Sequence, residues 1–299
     1  MTRRLLAVHA HPDDESSKGA ATSAHYLAQG DEVMVVSCTG GERGDVLWPG
    51  LAPRAMADRD MGGFRRYEMA KAQEVLGIQH RWLGYMDSGL PAEGELLPAN
   101  SFATIPVEIS GAPLVKIIRE FRPHVVVTYD ENGGYPHPDH IKTHDVTMFA
   151  VDAAADADRF PEAGEPWQVL KLYYDRGFNS TKINALAEAI RAREPEAHIL
   201  EEVERMLGWM GQRPDTATTH VRCGDFFSVR DDALRAHASQ VPPDSSFFFW
   251  PLELQQEAWP FEDYELVHSR VPATIPEDDL FAGIPVEDGA DTTNEEERA

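Results

Sequence analysis

Leu5-Leu6-Ala7-Val8 is an apolar run with no polar relief, as expected of a strand buried on both faces. The pattern returns at Val33-Met34-Val35-Val36 and at Val125-Val126-Val127. Between these runs the apolar period lengthens to that of a helix. Ala20, Ala24 and Leu27 share one face of residues 18–29, and Gly30 ends the segment. Residues 63–76 and 114–121 read as further helices, with Gly77 closing the first. A short strand is expected at 81–85, a strand at 124–130, and a helix at 138–153 with Pro138 in its first turn. Strand alternating with helix predicts an α/β fold. It is a Rossmann-like open, mostly parallel sheet with helices on both faces and C-terminal elaborations.

Beyond residue 160 the pattern weakens. Residues 169–174 read as a strand, and 184–210 as a charged helical stretch broken at Pro195. A short strand at 218–221 precedes a helix at 228–239, with Asp231 and Asp232 near its start and His237 near its end. Phe247-Phe248-Phe249-Trp250 is an aromatic run suited to core or lid. The Pro-rich stretch 251–286 is expected to wrap over the domain. No clean linker interrupts residues 1–286, which predicts one domain. Residues 287–299 carry six acidic side chains against Arg298 and read as a disordered acidic tail.

Two of the strands run into donor-rich turns. The first leads through His9 into His11-Pro12-Asp13-Asp14-Glu15. The strand at 124–130 leads into Pro136-His137-Pro138-Asp139-His140. In open α/β sheets ligands bind at the carboxyl ends of strands. Two strands flanking a topological switch point would bring these turns face to face. An imidazole and a carboxylate three residues apart reach one metal ion, and the Asp between them is free to move protons. A mere polar turn with an Asp cap needs one Asp and no histidine. His137, His140 and His144 compete for one further ligand place. His140 and His144 lie i,i+4 on one helical face, so spacing permits either.

Other chemistries lack their residues. The first turn has no GxGxxG, its acidic side chains would repel a pyrophosphate, and no P-loop or GxSxG elbow occurs. With 27 Lys and Arg against 51 Asp and Glu, the net charge of −24 argues against nucleic-acid partners and anionic membranes. Cys38 and Cys223 form no CxxC, and no targeting segment or membrane-length apolar run is evident, so a reducing, cytoplasmic setting is expected.

The two histidine motifs resemble those of the LmbE-like (PIG-L) family of zinc-dependent N-deacetylases. Within it, Ser16-Ser17-Lys18-Gly19-Ala20-Ala21, Thr39-Gly40-Gly41-Glu42-Arg43-Gly44, Asp87-Ser88-Gly89-Leu90-Pro91 and Arg230 to His237 are similar to the branch that acts on mycothiol S-conjugates. The rival branch deacetylates N-acetylglucosaminyl-inositol. The resemblance spans residues 3–286. It implies that His11, Asp14 and His140 hold one Zn2+ per chain, with Fe2+ able to use the same ligands. It implies Asp13 as general base, His137 as acid and oxyanion stabiliser, Asp139 as the group tuning His137, and Tyr135 as an aid to carbonyl polarisation. Arg65 and Asp87 match positions that hold sugar and inositol. The alternative for Arg65 is a surface pair with Glu68. Lys18 selects the larger acyl side of a conjugate or is a solvated helix-face lysine. Glu42, in a Gly-rich loop after a strand, joins the substrate-binding candidates. The implied substrate is a small-molecule thiol-sugar conjugate. Its amide joins an S-substituted N-acetylcysteine to glucosaminyl-inositol. Two other classes use similar residues: a ferrous oxygenase, against which Asp13 and the parallel sheet argue, and a non-catalytic sugar-binding module, which would not need Asp13 for chemistry.

Overall fold

The computed structural model describes residues 2–92, 94–194, 198–210 and 215–285. The strands are β1 (Arg4–His9), β2 (Glu32–Thr39), β3 (Gln79–Tyr85), β4 (Val125–Thr128), β5 (Lys171–Asp175), β6 (Thr219–Arg222) and β7 (Phe261–Ser269). They form one seven-stranded sheet in the order β3-β2-β1-β4-β5-β7-β6. The first five pair in parallel. β7 runs antiparallel to both β5 and β6. The helices are α1 (Asp14–Ser17), α2 (Ala20–Ala28), α3 (Arg54–Arg59), α4 (Met61–Leu76), α5 (Val107–Phe121), α6 (Pro138–Ala155), α7 (Ser180–Arg193), α8 (Ile199–Met210), α9 (Phe227–Ala236) and α10 (Leu252–Ala258).

Alternation along each strand divides the core between two faces. Leu5, Ala7, Val33, Val35, Val125 and Val127 pack with Tyr26 of α2, Met69 of α4 and Phe227 of α9. Leu6, Val8, Met34, Val36 and Val126 pack with Leu114 and Ile118 of α5 and Val146 and Ala150 of α6. Leu6, Val36, Leu114 and Ile118 are fully buried; each contributes about 1.5–3 kcal/mol. The expected parallel α/β sheet with a helical layer on either face is present. Strand order reverses between β1 and β4, so the carboxyl ends of these two strands flank a switch-point crevice.

Three elements differ from their sequence expectation. The helix expected at 18–29 is α2, and a separate turn, α1, precedes it, with Gly19 at φ 86 between the two. α5 starts at Val107, and Pro113 lies inside it. The carbonyl of Ile109, which Pro113 cannot engage, accepts the Tyr85 hydroxyl at 3.2 Å. The largest difference is β7, a nine-residue strand in what reads as a Pro-rich wrap. Its Glu262 and Asp263 are buried, which hides the apolar alternation of a strand. Both are satisfied. Glu262 accepts the N–H groups of Ala21 and Thr22 at the start of α2. Asp263 accepts from Asn179, His220 and Trp259.

Beyond β7 the chain wraps as expected. Glu277 receives Lys171 Nζ at 2.7 Å and the Tyr173 hydroxyl at 2.8 Å, while Leu280 and Phe281 enter the core beside Tyr26. The acidic tail and the helix break at Pro195 lie outside the described residues. Among the described residues no helix is long and apolar enough to cross a membrane.

Candidate active site

The switch-point crevice brings the two histidine motifs together. His11, Asp14 and His140 are buried, and each offers a donor atom within 4.8 Å of the other two. His11 Nδ1 lies 3.6 Å and His140 Nε2 3.5 Å from the same oxygen, Asp14 Oδ2. The backbone N–H of His11 also donates to Asp14 Oδ2, at 2.9 Å, which folds the carboxylate back over the turn.

Each imidazole is oriented from behind. His140 Nδ1 lies 3.0 Å from the carbonyl of Gly133, so this nitrogen carries the proton and Nε2 is left free. The close approach needs glycine: a Cβ on Gly133, at φ 72, would stand 2.6 Å from the Cβ of His140. The His140 ring stacks on Tyr129 at 4.3 Å between centroids. His11 Nε2 faces Asp139 Oδ2 at 3.3 Å and Asp87 Oδ1 at 3.6 Å, leaving Nδ1 for a ligand. Two imidazoles and a carboxylate, each with its second donor fixed, fit a divalent cation. A second grouping, His11 with His137 and Asp139, shares His11, whose Nε2 already faces Asp139 at 3.3 Å. His144 is turned away, with Nδ1 at 3.1 Å from the carbonyl of Tyr129.

Charge follows from these contacts. Burial alone would raise the Asp14 carboxyl, but Lys18, His140 and His11 outweigh it and hold it well below the usual range. Burial pushes His140 well down, which favours the neutral imidazole a metal requires. Burial works against the His11 cation too, yet Asp139, Asp14 and Asp87 together raise it.

Asp13 has a strained backbone at φ 108. Three groups hold it. Arg65 Nη2 reaches its Oδ2 at 3.1 Å. Its N–H donates to Glu15 Oε2 at 2.8 Å. Glu15 Oε1 in turn pairs with His237 Nε2 at 2.7 Å, with both side chains fully buried. Burial raises the Asp13 carboxyl above its ordinary value, against the pull of Arg65. Burial would raise Glu15, but His237 and Ser16 bring it down to about 2.

His137 caps α6, its Nδ1 accepting the N–H of Asp139 at 3.1 Å. Its proton therefore sits on Nε2. Burial, then the neighbouring His11, lowers its basicity. Tyr135 lies 4.5 Å from His140 between ring centroids, and burial pushes its hydroxyl up to about 12, so it stays a neutral donor.

Several expected roles change with the geometry. The Asp139 carboxylate acts on His137 through its charge, which raises that imidazole's basicity, and not through a hydrogen bond: it faces His11 and accepts Ser88 N–H at 2.8 Å, while its backbone N–H donates to His137. Lys18 is no solvated lysine, because Nζ lies 2.6 Å from Asp14 Oδ1 and its side chain is 12% exposed. Arg65 is buried, donating to the carbonyls of Pro12 and Gly41 and to Asp13, while Glu68 accepts from Ser239 instead. Asp87 faces His11 and accepts the N–H groups of Arg43 and Gly89. Glu42 accepts the N–H of Asp87. Of the four substrate-binding candidates, only Lys18 lines the cleft in front of Asp13 and Asp14. That cleft has a volume of about 810 Å³ and a polar wall that includes Asp130, Asn132, Arg176 and Asn179. His237 and Tyr129 escape sequence reasoning as parts of the site, and so does the partner of Glu15. Glu15 adjoins the motif, but nothing in the sequence ties it to a histidine 222 positions away.

The family model PIG-L, GlcNAc-PI de-N-acetylase, matches residues 6–151. A Streptomyces coelicolor protein named mycothiol S-conjugate amidase is 50% identical over 285 residues, covering 94% of this chain and 97% of its own. A 1D-myo-inositol 2-acetamido-2-deoxy-alpha-D-glucopyranoside deacetylase from Geodermatophilus obscurus is 43% identical over 298 residues, covering 95% of this chain and 99% of its own. Among solved structures, N,N'-diacetylchitobiose deacetylase from Pyrococcus horikoshii shares the fold with a TM-score of 0.58 at 19% identity, covering 89% of this chain and 84% of that one.

Proposed function

Since this chain belongs to the PIG-L family of amide-bond hydrolases, we propose that it cleaves the amide bond of mycothiol S-conjugates. The products are an N-acetylcysteine S-conjugate and glucosaminyl-inositol. The observation that carries this choice is the 50% identity, over nearly the whole of both chains, to the relative named for that reaction, against 43% to one named as the deacetylase.

His11, Asp14 and His140 would hold one Zn2+, which supplies a Lewis acid and a water of lowered pKa. Asp13, at the mouth of the cleft, accepts the proton of the attacking water. Its raised pKa suits a base that must later release that proton. Arg65 fixes its carboxylate, and the Glu15–His237 pair holds its backbone N–H. His137 donates from Nε2 to the oxygen that becomes negative in the tetrahedral intermediate, and Tyr135 adds a neutral hydroxyl donor. A proton then passes to the departing nitrogen, and the C–N bond breaks. Asp139 and Asp87 act one layer out, on His11. The soluble, small-molecule character of the substrate agrees with a cleft of about 810 Å³.

Mass-spectrometric product analysis tests the reading, with a mycothiol conjugate and N-acetylglucosaminyl-inositol as parallel substrates. Release of the N-acetylcysteine S-conjugate at the higher kcat/KM is expected. A preference for acetyl removal over every conjugate would replace it with the deacetylase reading.

A further inference from the structure

Beside the catalytic cleft lies an apolar recess of about 80 Å³. Its walls include Ile183 and Leu186 of α7, Met206 of α8, Leu234 of α9, and Phe247 and Trp250 before α10. Lys18, Asp175, Phe178 and Phe247 line both the recess and the cleft, so one opens into the other. Lys18 stands at the junction, 2.6 Å from the carboxylate of Asp14. The other charged groups at the recess have partners of their own. Arg230 donates to Asp231 and Gln255, Glu262 accepts from the start of α2, Asp175 accepts the N–H of Gly177, and Lys182 reaches the carbonyl of Gly177. The recess therefore offers its occupant mostly apolar contact; the main cleft, whose walls also carry Tyr129, Tyr135, Phe178 and Phe247, adds the carboxylates and amides of Asp130, Asn132 and Asn179.

We infer that this recess binds the S-linked substituent of the substrate, an alkyl or aryl group, while the hydroxyl-rich half occupies the polar cleft. The inference rests on the proposed amidase reading and assigns the part of the site that tells conjugates apart. In such a conjugate the sulfur is three bonds from the reacting carbonyl carbon. A substrate whose carbonyl sits beside Asp14 thus carries its sulfur past Lys18 to the mouth of the recess. Apolar walls make no directional demand, so substituents of different shape are admitted, and the thioether of Met206 adjusts to them. Size is the limit. The recess has roughly half the volume of a ~150 Å³ cavity that holds benzene. It accepts a group of three or four carbons, and longer groups leave their outer part in the cleft.

The test is kcat/KM across S-methyl, S-ethyl, S-propyl, S-butyl and S-octyl conjugates. Each methylene up to butyl is expected to raise kcat/KM about 4-fold, with a plateau beyond. Phe247→Ser and Met206→Gln, on separate walls, are each expected to flatten that slope. The S-alkyl N-acetylcysteine products should show the same length dependence as inhibitors of the wild type, a readout that needs no variant. Conjugates cleaved with a flat series from methyl to butyl, or a slope untouched in both variants, would overturn the recess assignment alone. No cleavage of any conjugate, with acetyl removal intact, would overturn the amidase reading and this inference with it.

Discussion

Two regions of the sheet, β1 with β4 and the side built from β5, β7 and β6, follow opposite rules. In β1 and β4 the middle of the strand is apolar, and the chemistry emerges only past the carboxyl end, at His11 and His137. In β5, β6 and β7 the strands themselves carry buried polar groups: Lys171, Thr219, Glu262 and Asp263. Each is satisfied by a segment distant in sequence, whether the start of α2, α7 or the chain around residue 277. The difference separates two tasks. An apolar scaffold aims reactive side chains, while buried polar ties hold remote segments against it. Changes in the first part should fall on turnover, and changes in the second on stability.

The largest loss of turnover should follow His140→Ala or Asp14→Ala, which remove a cation ligand. Metal content by elemental analysis and activity should vanish together. Full metal occupancy in His140→Ala would break the assignment and turn attention to His144. Asp13→Asn should keep its metal and lose about 10²–10⁴-fold in kcat, the span of a general base; near-normal turnover would remove Asp13 from the chemistry. His237→Ala crosses the divide, since α9 braces Asp13 through Glu15. A loss of about 10–100-fold in kcat, with metal retained, is expected of a partner one layer out. If only stability changes, the brace holds the fold and not the base.

Lys171→Met should leave the kcat of the folded enzyme alone and cost about 3–5 kcal/mol in urea unfolding, because Glu277 is left as an unpaired buried charge. Loss of turnover at full stability would contradict the division. The smallest effect concerns pH. Burial raises the carboxyl of Asp175 from 3.8 to about 6. A group whose folded pKa is raised favours folding while protonated and loses that contribution as pH climbs through the folded value. Relative to Asp175→Asn, the wild type should therefore lose stability between pH 3.8 and about 6, by at most about 2–3 kcal/mol at 1.36 kcal/mol per unit. Parallel unfolding curves at pH 4 and pH 7 measure it, and a pH-independent gap would show that the carboxyl titrates normally.

How far the sequence could be read follows the same line. Apolar runs flanked by turn chemistry announced β1, β2 and β4, and with them the ends that carry His11, Asp13, Asp14, His137 and His140. β7 could not be read that way, because Glu262 and Asp263 occupy positions where a strand would show apolar residues. Among site residues, the local motifs were visible and the cross-chain contacts were not. Nothing near Arg65 indicates that its guanidinium clamps Pro12, Gly41 and Asp13. Nothing near His237 points to Glu15. The Asp139 carboxylate faces His11, while His137 caps the helix that begins at Pro138 and accepts the Asp139 N–H.

The tie between Glu262 and the first turn of α2 sets a timetable for biosynthesis. His11 and Asp14 leave the ribosome before the strand that caps the helix behind them, which comes about 250 residues later. At about 5–20 residues per second, that is a delay of roughly 10–50 s. During it the start of α2 has its donor groups open to water, and Tyr26 lacks the Asp279 and Leu280 contacts that later enclose it. A nascent chain therefore carries the ligands early and the enclosure late, so the site reaches its final form only after synthesis has passed β7.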